Sequence, residues 1–332
     1  MVNRNQPTSP KPYDFVPFPD RRPTLSAPIG HDRYHCDRLH GSLDLTLQVQ
    51  TALHVSTGIT GLGSDVGSRL PLIKTMTTTN QQLVIQGTSL KGCIRAAYEA
   101  ITNSTLAVIT SKYRDKIPPD RLPCQDPKQL CPASRVFGAL NWQGLIEFSD
   151  ATCQTKQPSI GFMPSLYSPR PERREYFLRG RVAGRKFYYN MTRAIDRGEN
   201  RGIPIQQASR QYTFKTTIHY KNLLPPELGI LLMILGQDKQ SPIALKIGGG
   251  KPIGMGTMTT EVTTISHTQD VRDRYRNYVV PDAQLTGDAM HQFIQTQITA
   301  AKNSSLLEKA QWQQLVALLK YPGEHDPPEG MY

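Results

Sequence analysis

The sequence predicts an α+β fold of ferredoxin-like topology. Four segments alternate apolar and polar residues, two others carry a helical period, and together they run in the order β-α-β-β-α-β.

Residues 1–42 hold seven prolines within the first 28 and no regular period, and read as an extended arm. LDLTLQVQTALHV (43–55) alternates and reads as the first strand. GITGLGSDVGSRLP (58–71) reads as a Gly/Ser loop, and TMTTTNQQLVI as a hairpin leading to a short strand. A helix is expected from Ser89 to about Asn103, with Leu90, Ile94, Ala97 and Ile101 on one face. Residues 112–135 form a Pro-rich connection, and GLIEFSDA (144–151) is the second strand. The basic stretch 168–210 reads as irregular, and YTFKTTIHYKNL (212–223) as the third strand. PPELGILLMILGQ (225–237) opens with prolines and Glu227, both helix-start signals. LKIGGGKPIGMG (245–256) is a glycine-rich loop, and MTTEVTTI (258–265) is the fourth strand. Two helices close the chain, and 304–320 is expected to begin with a capping box of Ser305 and Glu308. The expected units are an arm (1–42), a core domain (43–266) with an insertion at about 168–214, and a helical extension (267–332).

The 332 residues carry 39 Lys+Arg against 27 Asp+Glu, a net charge of +12. Between Arg170 and Arg201, ten basic residues face four acidic ones, which is half the excess. A localised positive field suits a phosphate backbone, although charge alone also fits solubility. No run of about 18 apolar residues occurs, so no membrane partner is expected. Five cysteines and no apolar leader point to free thiols in the cytoplasm.

Three segments carry chemistry. In IQGTSLKGCIRAAYEA (85–100), Gly87, Thr88 and Ser89 place N–H groups and hydroxyls at a helix start, where an anion is favoured. Lys91 and Arg95 lie four apart on that helix. An ordinary N-cap explains the turn equally well. CPASRVFGALNWQGLIEFSDA (131–151) leads into the second strand. ALKIGGGKPIGMGTM (244–258) holds five glycines between Gly248 and Gly256, more than a plain turn needs. There Gly248, Gly249 and Gly250 let a backbone approach, and Lys251 offers a phosphate contact. A P-loop is excluded, because Pro252 follows Lys251.

These segments, in this order, resemble the RAMP superfamily. Its Gly-Ser-Ser-Leu-Lys-Gly turn, Cys-Pro-x-Cys-Arg-Leu-Phe-Gly segment and glycine-rich loop are similar to the three stretches here. PYDFVPFP (12–19) is similar to the opening of type III members. The resemblance covers about residues 12–265. It implies an RRM-like RAMP core with a thumb-like insertion, serving as a backbone subunit of a type III CRISPR effector complex. The implied partners are a guide RNA, a complementary target RNA and other subunits of the complex. The insertion would track RNA through Arg185 and Lys186, with Tyr188 and Tyr189 either stacking on bases or packing in a hairpin. His54 and Arg69 are further candidate RNA contacts, and the arm is expected to lie on a neighbouring subunit.

Many members cut target RNA with a metal-dependent Asp in the loop after the first strand. That position holds Ser68 or Arg69 here, and Asp65 is the one carboxylate in the loop. Three readings follow: a guide-binding scaffold that needs no cofactor, an endoribonuclease using Asp65 with Mg2+ or Mn2+, or a guide-processing nuclease using His54 as a base. The scaffold is favoured by the displaced acid and by the Arg/Tyr-rich insertion. Cys124 and Cys131 lack a second cysteine at Ser134, and two thiols do not complete a tetrahedral zinc site unless His35, Cys36 or His40 joins them.

Overall fold

The computed structural model describes residues 11–155, 158–166, 174–196, 202–268, 270–278 and 283–328. Its core comprises strands β1 (Leu39–Val49), β2 (Ile146–Phe148), β3 (Ala151–Cys153), β4 (Thr213–Leu223) and β5 (Thr257–His267). The helices are α1 (Gly87–Ile101), α2 (Pro132–Phe137), α3 (Pro225–Ile234), α4 (Gly287–Asn303) and α5 (Lys309–Leu319). The sheet runs β5-β1-β4-β3, all antiparallel, with β2 continuing alongside β4. With β2 and β3 as the second strand, the order is 4-1-3-2, the ferredoxin-like arrangement expected from the alternation.

Alternation decides which face is buried. Leu43, Leu45, Leu47 and Val49 of β1 point into the core with Phe214 and Ile218 of β4. Leu90, Ile94, Ala97 and Ile101 of α1 pack there as the helical period requires. Helix α3 is buried along its length between α1 and α4. A Cβ at Gly229 would collide with the Gln297 carbonyl, so glycine sets how closely α3 approaches α4. The opposite sheet face carries Ser42, Asp44, Thr46, Gln48, Lys215, Thr217, His219, Glu261 and Thr264. Those positions hold no Phe, Tyr or Trp on which a base would stack, unlike RNA-binding sheets of this topology.

Four expectations are corrected. First, the arm is not wholly irregular: Tyr13–Pro17 is a strand that pairs antiparallel with Gly184–Tyr188, burying Tyr13 and Val16. Arg121 donates to the carbonyls of Pro19 and Arg21, and Asn222 donates to those of Gly30 and Arg33. Second, the Gly/Ser loop is mostly hairpin, since Ser56–Leu62 pairs with Leu72–Met76. Third, the insertion is regular over much of its described length. Gly202–Gln207 joins Ser159–Pro164 and Leu72–Met76 in a second sheet, although residues 168–173 and 197–201 of the insertion lie outside the described residues. Fourth, α5 begins at Lys309 rather than at a Ser305 box. Ser304 Oγ accepts from Leu306 N–H, and Glu308 pairs with Arg21 instead. Among the described residues, no helix is long and apolar enough to cross a membrane.

Candidate nucleic-acid interface

The glycine-rich loop joins the edge strand Leu245–Lys246 to β5 and folds back over the segment that follows β1. Gly249 N–H donates to the His54 carbonyl (2.9 Å), and Gly256 N–H donates to the Ala52 carbonyl (2.9 Å). Gly248 has φ +80, and a Cβ there would strike the His54 carbonyl, so this position requires glycine twice over. Gly249 is different: it is exposed, and a Cβ there would make only ordinary contacts at 3.8 and 3.9 Å with His54. The backbone at Gly249 is therefore bare without a conformational need for it, as a close-approach surface requires.

His54 lies beneath this surface. Its Nδ1 is 2.7 Å from the Gln206 carbonyl, and its Nε2 is buried with no hydrogen-bond partner among the described residues. Burial holds its pKa below the usual histidine value, opposed by the Gln206 hydrogen bond and aided by the Lys74 charge. Gln206 also accepts Met76 N–H through its side chain, tying the hairpin strand to the same point.

Cations surround the loop. Lys251 is half-buried at its turn. Lys246 is only 5% exposed, and its Nζ donates to the Gly254 carbonyl (3.1 Å) and to Thr257 Oγ1 (3.0 Å). Burial and then the neighbouring Lys251 charge pull the Lys246 pKa down to about 7. The insertion reaches the loop too, as Ile195 N–H donates to the Ile253 carbonyl and places exposed Arg193 beside Gly254. Lys74, Arg193 and Lys246 were not singled out from sequence. Lys246, two residues before Gly248, was the one with a visible signal.

Helix α1 borders the loop, with Cys93 Sγ donating to the Lys246 carbonyl (3.4 Å). Thr88 is exposed, while Ser89 and Lys91 are half-buried. The helix start is less free than its sequence implies, because Asp150 accepts Gly87 N–H (2.7 Å). Burial, with the Arg95 charge, lowers the Lys91 pKa, and Glu147 opposes the shift. Arg95 turns inward. Its Nε donates to Glu99 Oε1 (2.7 Å), and Arg185 of the insertion pairs with the other oxygen of that buried carboxylate. Arg185 and Arg95 thus have an internal partner. Lys186 is stacked over the rings of Tyr13 (3.7 Å), Tyr188 and Tyr176, so Tyr188 belongs to this aromatic cluster. Tyr189 stacks on His325.

The remaining candidates lie apart. Asp65 and Arg69 are exposed at the tip of the 56–76 hairpin, roughly 20 Å from His54 at the rise of an extended strand. Asp65 Oδ2 accepts Leu62 N–H (3.3 Å), closing its own turn. Cys124 and Cys131 are together, but His35 and His40 are engaged around Asn222 instead, and no group of three metal-ligating side chains converges among the described residues.

The fold and loop define an α+β chain that presents a bare, lysine-bearing glycine segment at the edge of a ferredoxin-like sheet. The RAMP superfamily model matches residues 46–259, and the chain belongs to that superfamily. Among solved structures, the chain is similar to one described as the type III-B Cmr-beta bound to cognate target RNA. The identity is 15% and the TM-score 0.37, with 69% of this chain and 61% of that chain covered. No curated protein matches the chain.

Proposed function

We propose that this chain is a guide-RNA-binding backbone subunit of a type III CRISPR effector complex, and that its glycine-rich loop carries the guide backbone. The observation that carries this reading is the exposed Gly249 backbone over the unpartnered His54 Nε2, with Lys251 beside it. A phosphate arriving there would meet the Lys251 cation and a backbone with no side chain in its way, while His54, buried beneath, holds the loop in place. Membership of the superfamily and the PYDFVPFP opening of the arm support the type III assignment. The outer sheet face, whose named positions carry no Phe, Tyr or Trp, supports binding at the loop rather than across the sheet.

Binding in this reading needs no cofactor. We assign no cleavage to Asp65, whose carboxylate serves its own turn at the far end of the hairpin from His54. The test is photo-crosslinking of guide RNA in the assembled complex, followed by peptide mapping. Crosslinks within 244–258 and 85–100 are expected, whereas crosslinks confined to the outer sheet face would contradict the assignment.

A further inference from the structure

The Cys124 and Cys131 pair belongs to no part of the loop site. Thr105 Oγ1 lies 3.4 Å from Cys124 Sγ and 3.2 Å from Cys131 Sγ, so one hydroxyl touches both sulfurs. Cys131 N–H donates to Cys124 Sγ (3.4 Å), and Ser134 N–H donates to Cys131 Sγ (3.4 Å). Both sulfurs therefore have donors suited to a thiolate, and the Arg95 guanidinium lies close enough to feel both. Cys131 is fully buried, while Cys124 reaches the surface in part. The other described thiols differ. Cys36 is exposed, and burial pushes Cys93 and Cys153 up, away from thiolate character.

We propose that Cys124 and Cys131 form a reversible redox pair, which a hydroperoxide-class oxidant converts to an intramolecular disulfide. The pair shares one proton: hydrogen bonds from Cys124, Ser134 and Thr105 draw Cys131 well below the usual thiol range, while the same S–H contact pushes Cys124 up. In the first step the shared proton passes to Cys131, and the accessible Cys124 thiolate attacks one peroxide oxygen. The O–O bond breaks, leaving Cys124 sulfenic acid and hydroxide, and the hydroxide takes the Cys131 proton to form water. In the second step the Cys131 thiolate, the form its surroundings favour, attacks the Cys124 sulfur. The S–S bond forms, the S–O bond breaks, and the departing hydroxide takes a solvent proton. Two electrons leave the sulfurs, one peroxide is reduced, and two waters result. Cytoplasmic disulfides of this transient kind are typical of redox-sensing pairs.

The experiment treats the purified full chain with limiting hydrogen peroxide, blocks remaining thiols with an alkylating reagent, and maps the peptides by mass spectrometry. The expected result is a loss of two hydrogen atoms, a linked peptide pair containing Cys124 and Cys131, and recovery of both thiols with a dithiol reductant. In Cys124→Ser, Cys131 should stay reduced under the same treatment. Cys124 driven to sulfinic acid while Cys131 remains free would overturn the proposal. So would stoichiometric zinc held by both sulfurs in the purified chain, which would make the pair a metal site. The wild-type map decides the matter even if the serine variant folds poorly.

Discussion

The Gly249 N–H donates to the His54 carbonyl across 2.9 Å, so the glycine-rich loop hangs from the segment that follows β1. Neighbouring glycines then have separable roles. Gly248→Ala forces a left-handed φ on alanine and drives its Cβ into the His54 carbonyl, and should cost about 1–3 kcal/mol of stability. Gly249→Ala meets only contacts near 3.9 Å, and should leave stability unchanged while weakening RNA binding. Urea denaturation and RNA titration of the two variants measure the two effects separately.

The Lys246 prediction concerns pH. Its folded-state pKa of about 7 lies below the unfolded lysine value, so between these limits the unfolded chain binds more protons. Its contribution to stability should therefore rise as pH increases from about 7 toward the unfolded value, by up to about 1.4 kcal/mol per pH unit. It should be lost as pH falls through 7. Lys246→Met should flatten that part of the wild-type profile, and urea midpoints across the range are the measurement. Identical slopes in both proteins would refute the assignment.

Glu99 joins α1 to the insertion through Arg95 and Arg185. Removing the carboxylate leaves two guanidinium groups facing each other, so Glu99→Ala should destabilise the fold by about 3–5 kcal/mol. Because burial already draws Arg185 down to about 10, the loss should be greater than for an exposed pair such as Lys320 and Glu324. Chemical denaturation of Glu99→Ala and Glu324→Ala gives the comparison.

The core strands and helices were legible because leucines at alternate positions of β1, and apolar residues spaced by three and four in α1, leave one solution for burial. The arm strand was not. Pro12, Pro17 and Pro19 break its period, and its partner Gly184–Tyr188 lies far along the chain. The 56–76 hairpin was hidden for another reason: Gly58, Gly61, Ser56 and Thr60 carry no alternation to read. Of the candidate site, the meeting of the glycine-rich loop with His54 was not legible, because it joins residues 54 and 249, far apart in the chain. The inward turn of Arg95 needed the position of Glu99 relative to Arg185, a contact between segments that no local pattern encodes.

Asp65→Ala should leave RNA affinity and any pattern of target cuts unchanged, with magnesium present, because the carboxylate is exposed and bound to its own backbone. Mapping cut positions in the reconstituted complex checks this. Disappearance of one cut with binding intact would instead make Asp65 catalytic.

The most direct test of the account is the salt dependence of RNA binding by the wild-type chain and a Lys91→Glu, Lys251→Glu double variant. Among the described residues neither lysine is held in an ion pair, unlike Arg95, so the variant should fold. Each lost phosphate contact on single-stranded RNA removes about 0.7 from the slope of log K against log salt. The account predicts weaker binding to every RNA sequence alike and a slope flatter by about 1.4 for two contacts. An unchanged affinity and slope in a folded double variant would contradict it.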